Sequence, residues 1–213
     1  MFATDRDLAA IEPNLFRDVQ WLGQRLGAGT GSVSGTTLTL TGLDVALDAA
    51  GVTAGHVVSI DGVAYEILAR LGPATATVSR VRASAADPSI PPGTIANRPA
   101  AVFTFAPQAA PVHRQFLGML GLSDPPGEGE LGPSAVKNPG DVAAVEALGV
   151  LHAVYAAASA LAAPNSPLIA RAEHYRRAFA EARRRLEVRI DTDGDGVADA
   201  IRRLSVLQLI RRR

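Results

Sequence analysis

Apolar residues recur at helical spacing near the C-terminal end of the chain. Leu168, Ala172, Tyr175, Phe179, Ala182 and Leu186 step by four, three, four, three and four, which puts them on one stripe of a helix. Ser166 suits the N-cap and Pro167 the first helical position, where no hydrogen-bond donor is lost. Arg171, Arg176, Arg177 and Arg183 to Arg185 fall mostly off the stripe. At Leu186 the period changes to two: Leu186, Val188 and Ile190 alternate with Glu187 and Arg189, predicting a strand. An acidic glycine loop, a second strand and an arginine tail follow, so a helix is expected to run directly into a β-hairpin.

At the other end, Leu8, Ile11, Leu15 and Val19 mark an apolar helical face, joined by Phe16 and Leu22, with Thr4 as N-cap. Pro13 breaks or restarts this helix, so one helix and two short ones both fit. From Gly27 to about Phe105 the pattern is that of strands. Leu38 and Leu40 alternate with threonines, HVVSIDGVAYEIL predicts a hairpin turning at Asp61-Gly62, and ATVSRVRA and AAVFTF give two more strands. The glycine-rich GAGTGSVSG follows a helix and precedes a strand, the reverse of the order that aims amides at a phosphate. It reads as a flexible linker into the β-domain.

After Pro107 the helical period returns with Val112, Phe116, Leu117 and Leu120, and Gly121 is a stop. The proline- and glycine-rich acidic segment SDPPGEGELGPSAVKNPG separates this helix from the next. There Asp141 is the expected cap, and Val145, Leu148, His152, Tyr155 and Ala158 share a face. The fold class expected is α+β: a helical bundle with an inserted small β-barrel or sandwich and a C-terminal β-hairpin arm. Its segments are the N-terminal bundle helices 1–26, the β-domain 27–106, the bundle 107–186, and the hairpin and basic tail 187–213.

Composition narrows the chemistry. Of 213 residues 47% are hydrophobic and only 5% aromatic, so the core rests on Ala, Leu and Val. With no cysteine, disulfides, zinc–thiolate sites and thiol catalysis are excluded. No basic-then-apolar leader opens the chain, so no signal peptide is expected. The alanine-rich run from Val142 to Ala163 contains Glu146, His152 and Ser159 and reads as a buried helix, with no membrane partner. Net charge is zero but uneven. Residues 1–170 hold nine Arg/Lys and fourteen Asp/Glu, a balance of −5, and residues 171–213 hold twelve Arg and seven Asp/Glu, a balance of +5.

Two candidate chemistries stand out. In DTDGDGVAD, Asp191, Asp193, Asp195 and Asp199 occupy positions one, three, five and nine of a calcium loop, with Gly196 at its turn position. Position twelve is Arg202 instead of a bidentate glutamate, and a strand replaces the helix before the loop. A hairpin turn is therefore the preferred reading over calcium, the one cofactor considered. The arginines Arg183, Arg184, Arg185, Arg189, Arg202, Arg203, Arg211, Arg212 and Arg213 are interspersed with glutamates in a neutral chain, which favours a partner-docking surface over a nucleic-acid site. The four histidines form no pair at metal spacing and no nucleophile elbow occurs, so no catalytic residue is assigned and an enzyme has no positive support.

The order of an N-terminal helix with LAAIEPNLF, a β-insertion, SPLIARAEHYRRAFAEARRRL, LEVRIDTDGDGVADAIRR and a basic end resembles the head-tail connector (adaptor, or head-completion) proteins of tailed bacteriophages. The likeness covers Asp5 to Arg25 and about Val142 to Arg213. It implies a structural virion protein of the neck, assembled in the host cytoplasm. Such a protein forms a homo-oligomeric, commonly dodecameric ring between the portal protein and the next neck, stopper or tail protein. DNA passes through the ring without sequence-specific binding. The alternatives are a calcium-dependent binding module of a bacterial surface or secreted protein, and last an enzyme using a cleft beside the β-domain.

Overall fold

The computed structural model describes residues 1–160 and 162–204. It is mixed α and β, with a closed six-stranded antiparallel barrel, a separate two-stranded sheet and five α-helices. The chain divides into two compact units, one spanning Thr4–Pro107 and the other joining Met1–Ala3 to the chain from Gln108 onward.

The first unit is the barrel. Its strands are β1 (Arg25–Ser34), β2 (Thr37–Thr41), β3 (Val57–Ile60), β4 (Val63–Arg70), β5 (Thr75–Arg80) and β6 (Ile95–Phe103), closed in the order β1-β2-β5-β4-β3-β6. Closure leaves no edge strand. Alternate residues face inward, so Val33, Leu38, Leu40, Val58, Ile60, Ile67, Val78 and Val102 fill the interior together with Leu47 and Val52 from the β2–β3 connection. The β3–β4 turn is the two-residue type expected, with Asp61 at φ 52° and Gly62 at φ 80°.

The segment read as a flexible linker is instead strand β1, the longest in the barrel, paired with both β2 and β6. Its glycines answer to close backbone approach. A Cβ at Gly29 would lie 2.6 Å from the Thr41 carbonyl oxygen, one at Gly27 2.9 Å from that of Val45, and one at Gly31 2.9 Å from the Ala100 Cβ.

Helices α1 (Asp5–Ile11) and α2 (Leu15–Asp18) are two short helices separated at Pro13. Thr4 closes a capping box with Asp7, whose Oδ2 accepts from both the Thr4 amide and hydroxyl at 2.8 Å. Expected in the bundle, both helices belong to the barrel unit. The Arg6 amide donates to the Gly55 carbonyl at 2.9 Å, and the buried Asp5 carboxylate accepts from the Phe105 amide at 2.7 Å. Glu66 on β4 sits between the guanidinium groups of Arg6 and Arg82. Phe16 and Phe105 meet edge to face, 5.2 Å apart.

The second unit contains α3 (Ala106–Leu120) from Gln108 onward, α4 (Pro139–Ser159), α5 (Pro167–Arg185), β7 (Glu187–Ile190) and β8 (Ala200–Arg203). Gly121, at φ 62°, ends α3. Helix α4 starts earlier than expected: Asn138 precedes Pro139, and Asp141 lies in the first turn, where it accepts from the Asn138 side-chain amide at 2.9 Å. By length and composition α4 could cross a membrane, with mean hydropathy 1.5, and half of that window is buried inside the protein. Its buried side is not the single face anticipated. Of the anticipated face Val145 and Tyr155 are buried and Leu148, His152 and Ala158 half-buried, while Val142, Glu146, Ala147, Gly149, Val150, Leu151 and Val154 are buried as well. Small residues bring neighbours close on several sides, so apolar spacing alone does not mark a face. A Cβ on Gly149 would lie 2.9 Å from Val112 and 3.0 Å from the Phe179 ring.

Helix α5 follows its sequence pattern more closely. The Ser166 hydroxyl caps the Leu168 amide, and Tyr175 stacks on Tyr155 at 5.6 Å. Of the Leu168–Leu186 stripe Tyr175 and Leu186 are buried and Leu168, Ala172, Phe179 and Ala182 half-buried, and no residue of α5 off the stripe is buried.

Candidate functional site

The α5–β7 junction has no loop. Leu186 takes an extended conformation while its amide still donates to the Ala182 carbonyl at 3.0 Å, and β7 begins at the next residue. On its other edge β7 is bonded by residues 135–138. The Lys137 amide donates to the Arg189 carbonyl and the Asp191 amide to the Ala135 carbonyl, both at 2.9 Å. The Asn138 side chain accepts from the Arg189 amide at 2.8 Å and donates to the Glu187 carbonyl at 2.9 Å.

Val188 and Ile190 are fully buried with Phe116, Leu120, Val136, Val142 and Leu186. The described part of the hairpin is therefore seated in the core of its own unit. Alternation leaves Glu187, Arg189, Ile201 and Arg203 on the solvent face of the β7–β8 pair. Among the described residues no strand covers the outer edge of β8.

The β7–β8 loop holds the four candidate metal ligands. Carboxylate oxygens of Asp191, Asp193 and Asp195 lie within 4.8 Å of one another. Asp199 is turned away to the Thr192 hydroxyl at 2.7 Å. The oxygens of Asp191 are already engaged: Oδ1 accepts from the Gly194 amide at 2.7 Å, and Oδ2 from the Gly196 amide at 2.9 Å and from the Lys137 ammonium at 2.8 Å. The Lys137 ammonium, joined by the two glycine amides and opposed by burial, pulls the Asp191 carboxyl down to about 2. Asp193 and Asp195 bond to loop amides two residues ahead, the local closure typical of Asx turns. Lys137 is the residue that sequence reasoning missed here. Its being the single lysine was the available signal.

The candidate docking arginines divide into two groups. Arg202 reaches across to the Leu120 and Gly121 carbonyls, and Arg183 lies over the Phe179 ring, 5.6 Å from its centroid. Both are used within the unit. Arg184, Arg185, Arg189 and Arg203 are exposed. Arg185 pairs with Glu181 and Arg203 with Glu187, while Arg184 contacts the Ala180 carbonyl at 3.3 Å. Earlier in α5, Arg176 and then Arg177 hold the Glu173 carboxyl down to about 2. Arg211, Arg212 and Arg213 lie outside the described residues.

A second polar cluster was not anticipated. Glu146, fully buried on α4, accepts from the Phe2 amide at 3.2 Å and lies 3.3 Å from His113 Nδ1 on α3. His113 Nε2 faces Asp124 at 3.9 Å, and the Phe2 ring packs edge-on against the imidazole, 5.2 Å away. Burial pushes the Glu146 carboxyl up, opposed first by His113 and then by the Phe2 amide. Glu146 within an apolar helix and His113 near an apolar helix face were the sequence signals, and neither named the other. No family model, curated protein or solved structure matches the chain.

Proposed function

We propose that this chain is a structural virion protein, a head-to-tail adaptor of a tailed bacteriophage. In this reading it forms a ring, commonly of twelve copies, between the portal and the next neck or tail protein, with DNA passing through the channel. The observation that carries the reading is the loop-free join of α5 to β7. It joins helix and hairpin without a linker into one element on which Arg184, Arg185, Arg189 and Arg203 are exposed. A braced element bearing exposed charge suits a joint between two partners, and a β8 edge that no described strand covers can take a partner strand through main-chain hydrogen bonds. The hairpin then acts as a docking arm because it is braced, with its apolar side held in the core. The barrel, closed and without edges, serves as a stiff decoration or spacer on the ring.

The test is assembly with a portal. The purified chain mixed with portal from the same genome should give a ring-shaped complex in negative-stain images, with a mass matching a whole ring of copies. A chain that stays monomeric and shows no affinity for that portal removes the proposal.

A further inference from the structure

The exposed arginines Arg184 and Arg189 have a charge complement elsewhere on the same unit. The segment between α3 and α4 carries Asp124, Glu128 and Glu130, and no Lys or Arg occurs from Gly121 to Val136. Residues 124–130 are all exposed. The loop is nevertheless held in shape. The Ser123 amide donates to the Leu131 carbonyl at 2.9 Å and the Gly127 amide to Glu130 Oε2 at 3.1 Å, while Leu122 is buried in the core. The Gly127 amide, and next the Ser123 hydroxyl, hold the Glu130 carboxyl below its ordinary value. Glu128 makes no ion pair within the described residues, and neither do Arg184 and Arg189.

We infer that the 124–130 loop of one copy docks on the Arg184–Arg189 face of a second copy of this chain. The two surfaces differ, so the contact is head-to-tail, and each copy keeps one loop and one arginine face open for the next. Repetition of such a contact closes a ring when the rotation between copies allows it. The inference rests on the adaptor reading only for that closure. The contact itself follows from complementary charge, which sets register and approach more than bulk affinity. An exposed charge contact of this kind weakens steeply with salt, since the screening length falls from roughly 30 Å at 0.01 M to about 3 Å at 1 M.

The experiment uses the full chain and two reversed proteins, one with Glu128→Arg, which leaves the Gly127–Glu130 bond in place, and one with Arg184→Glu and Arg189→Glu. Circular dichroism melts confirm folding, and sedimentation reads association. The wild type should associate at low salt and dissociate near ~1 M. Each reversed protein alone should lose association by about tenfold or more in dissociation constant, because like charges then face one another. An equal mixture of the two, or one chain carrying all three reversals, should recover it. Reversed proteins that associate as the wild type does, a mixture that fails to recover, or a wild type monomeric at low salt would each overturn the inference. Reversed proteins that still form rings on a portal remove this contact and leave the adaptor reading standing. Salt-sensitive self-association without any portal ring does the opposite.

Discussion

The Lys137 ammonium lies 2.8 Å from Oδ2 of Asp191, the first residue of an apparent calcium loop, and takes a position next to the carboxylate where a bound cation would otherwise give neutrality. Asp191 is 4% exposed and both its oxygens also accept loop amides. The loop is thereby closed on itself by chain atoms. Adding millimolar calcium should leave the thermal midpoint of the wild type unchanged, because an ion bound only to the native state would raise it. A calcium-dependent rise in a melting series would show that the loop opens toward an ion.

The same pair sets an acid limit. Asp191 falls from its ordinary 3.8 to about 2 in the folded chain. A depressed carboxyl stabilises the fold above its unfolded value, and the contribution is lost as pH falls through the folded one. Acid unfolding should therefore draw on this group between about pH 4 and pH 2. Lys137→Met, which removes the largest cause, should move the acid midpoint upward in a fluorescence-monitored pH titration and lower the thermal midpoint at neutral pH. A variant with an unchanged acid midpoint would separate Lys137 from the loop's stability.

Glu146 has the opposite sign. Burial raises its carboxyl above 4.5, so its contribution is fullest below the unfolded value and is lost as pH rises through the folded one. Glu146→Gln keeps an acceptor for the Phe2 amide and removes the charge. Its stability, measured by denaturant unfolding across pH 4 to 8, should fall less with rising pH than that of the wild type. Parallel curves for the two proteins would mean that the His113 contact already cancels the burial cost.

Where local chemistry and tertiary demand coincide, the sequence was a sufficient guide. A two-residue hairpin turn needs positive φ at both positions and Asp61-Gly62 accommodates it, so β3 and β4 could be placed to the residue at their facing ends. The Leu168–Leu186 stripe and the Ser166 cap likewise describe α5 without reference to neighbours. Legibility failed where the reason for a residue lies across the fold. Gly27, Gly29 and Gly31 look like flexibility until Thr41, Val45 and Ala100 are seen pressing on them. The membership of α1 in the barrel unit depends on Gly55, Glu66 and Phe105, all far along the chain. The α4 face was misread because alanine and glycine admit neighbours without advertising a side. Of the candidate site, the spacing of the aspartates was visible, but Lys137 reaches Asp191 from 54 residues away.

The glycines of β1 allow a direct check. Gly29→Ala places a Cβ 2.6 Å from the Thr41 carbonyl oxygen and 3.2 Å from the Leu43 amide nitrogen. These are backbone atoms of a paired strand and its following turn, so relief requires strand movement. Overpacking of this type costs roughly 1–3 kcal/mol. Urea unfolding of the variant should show a loss in that range, whereas alanine in a flexible linker would be neutral or slightly stabilising. Gly35→Ala is not an equivalent control, because Gly35 sits at φ 62° and would be strained for a different reason.

Ile190 decides whether the hairpin is part of the folded core or an independent arm. Its side chain is fully buried, and residue 136 bridges it on the edge of β7 opposite β8. Truncation of a buried isoleucine to alanine typically costs about 2–5 kcal/mol, the spread reflecting how far the cavity collapses. Here β7 is held on both edges and followed by the closed Asp191 loop, so little collapse is available and the cost should lie in the upper half of that range. Ile190→Ala should therefore lower global stability in urea unfolding, with α4 and α5 losing hydrogen-exchange protection together with β7. Ile201→Ala, on the solvent face of the same hairpin and 63% exposed, should stay within ~0.5 kcal/mol of wild type. If both substitutions prove neutral, the hairpin does not share the cooperative core, and the rigid lever that motivates the adaptor reading is lost.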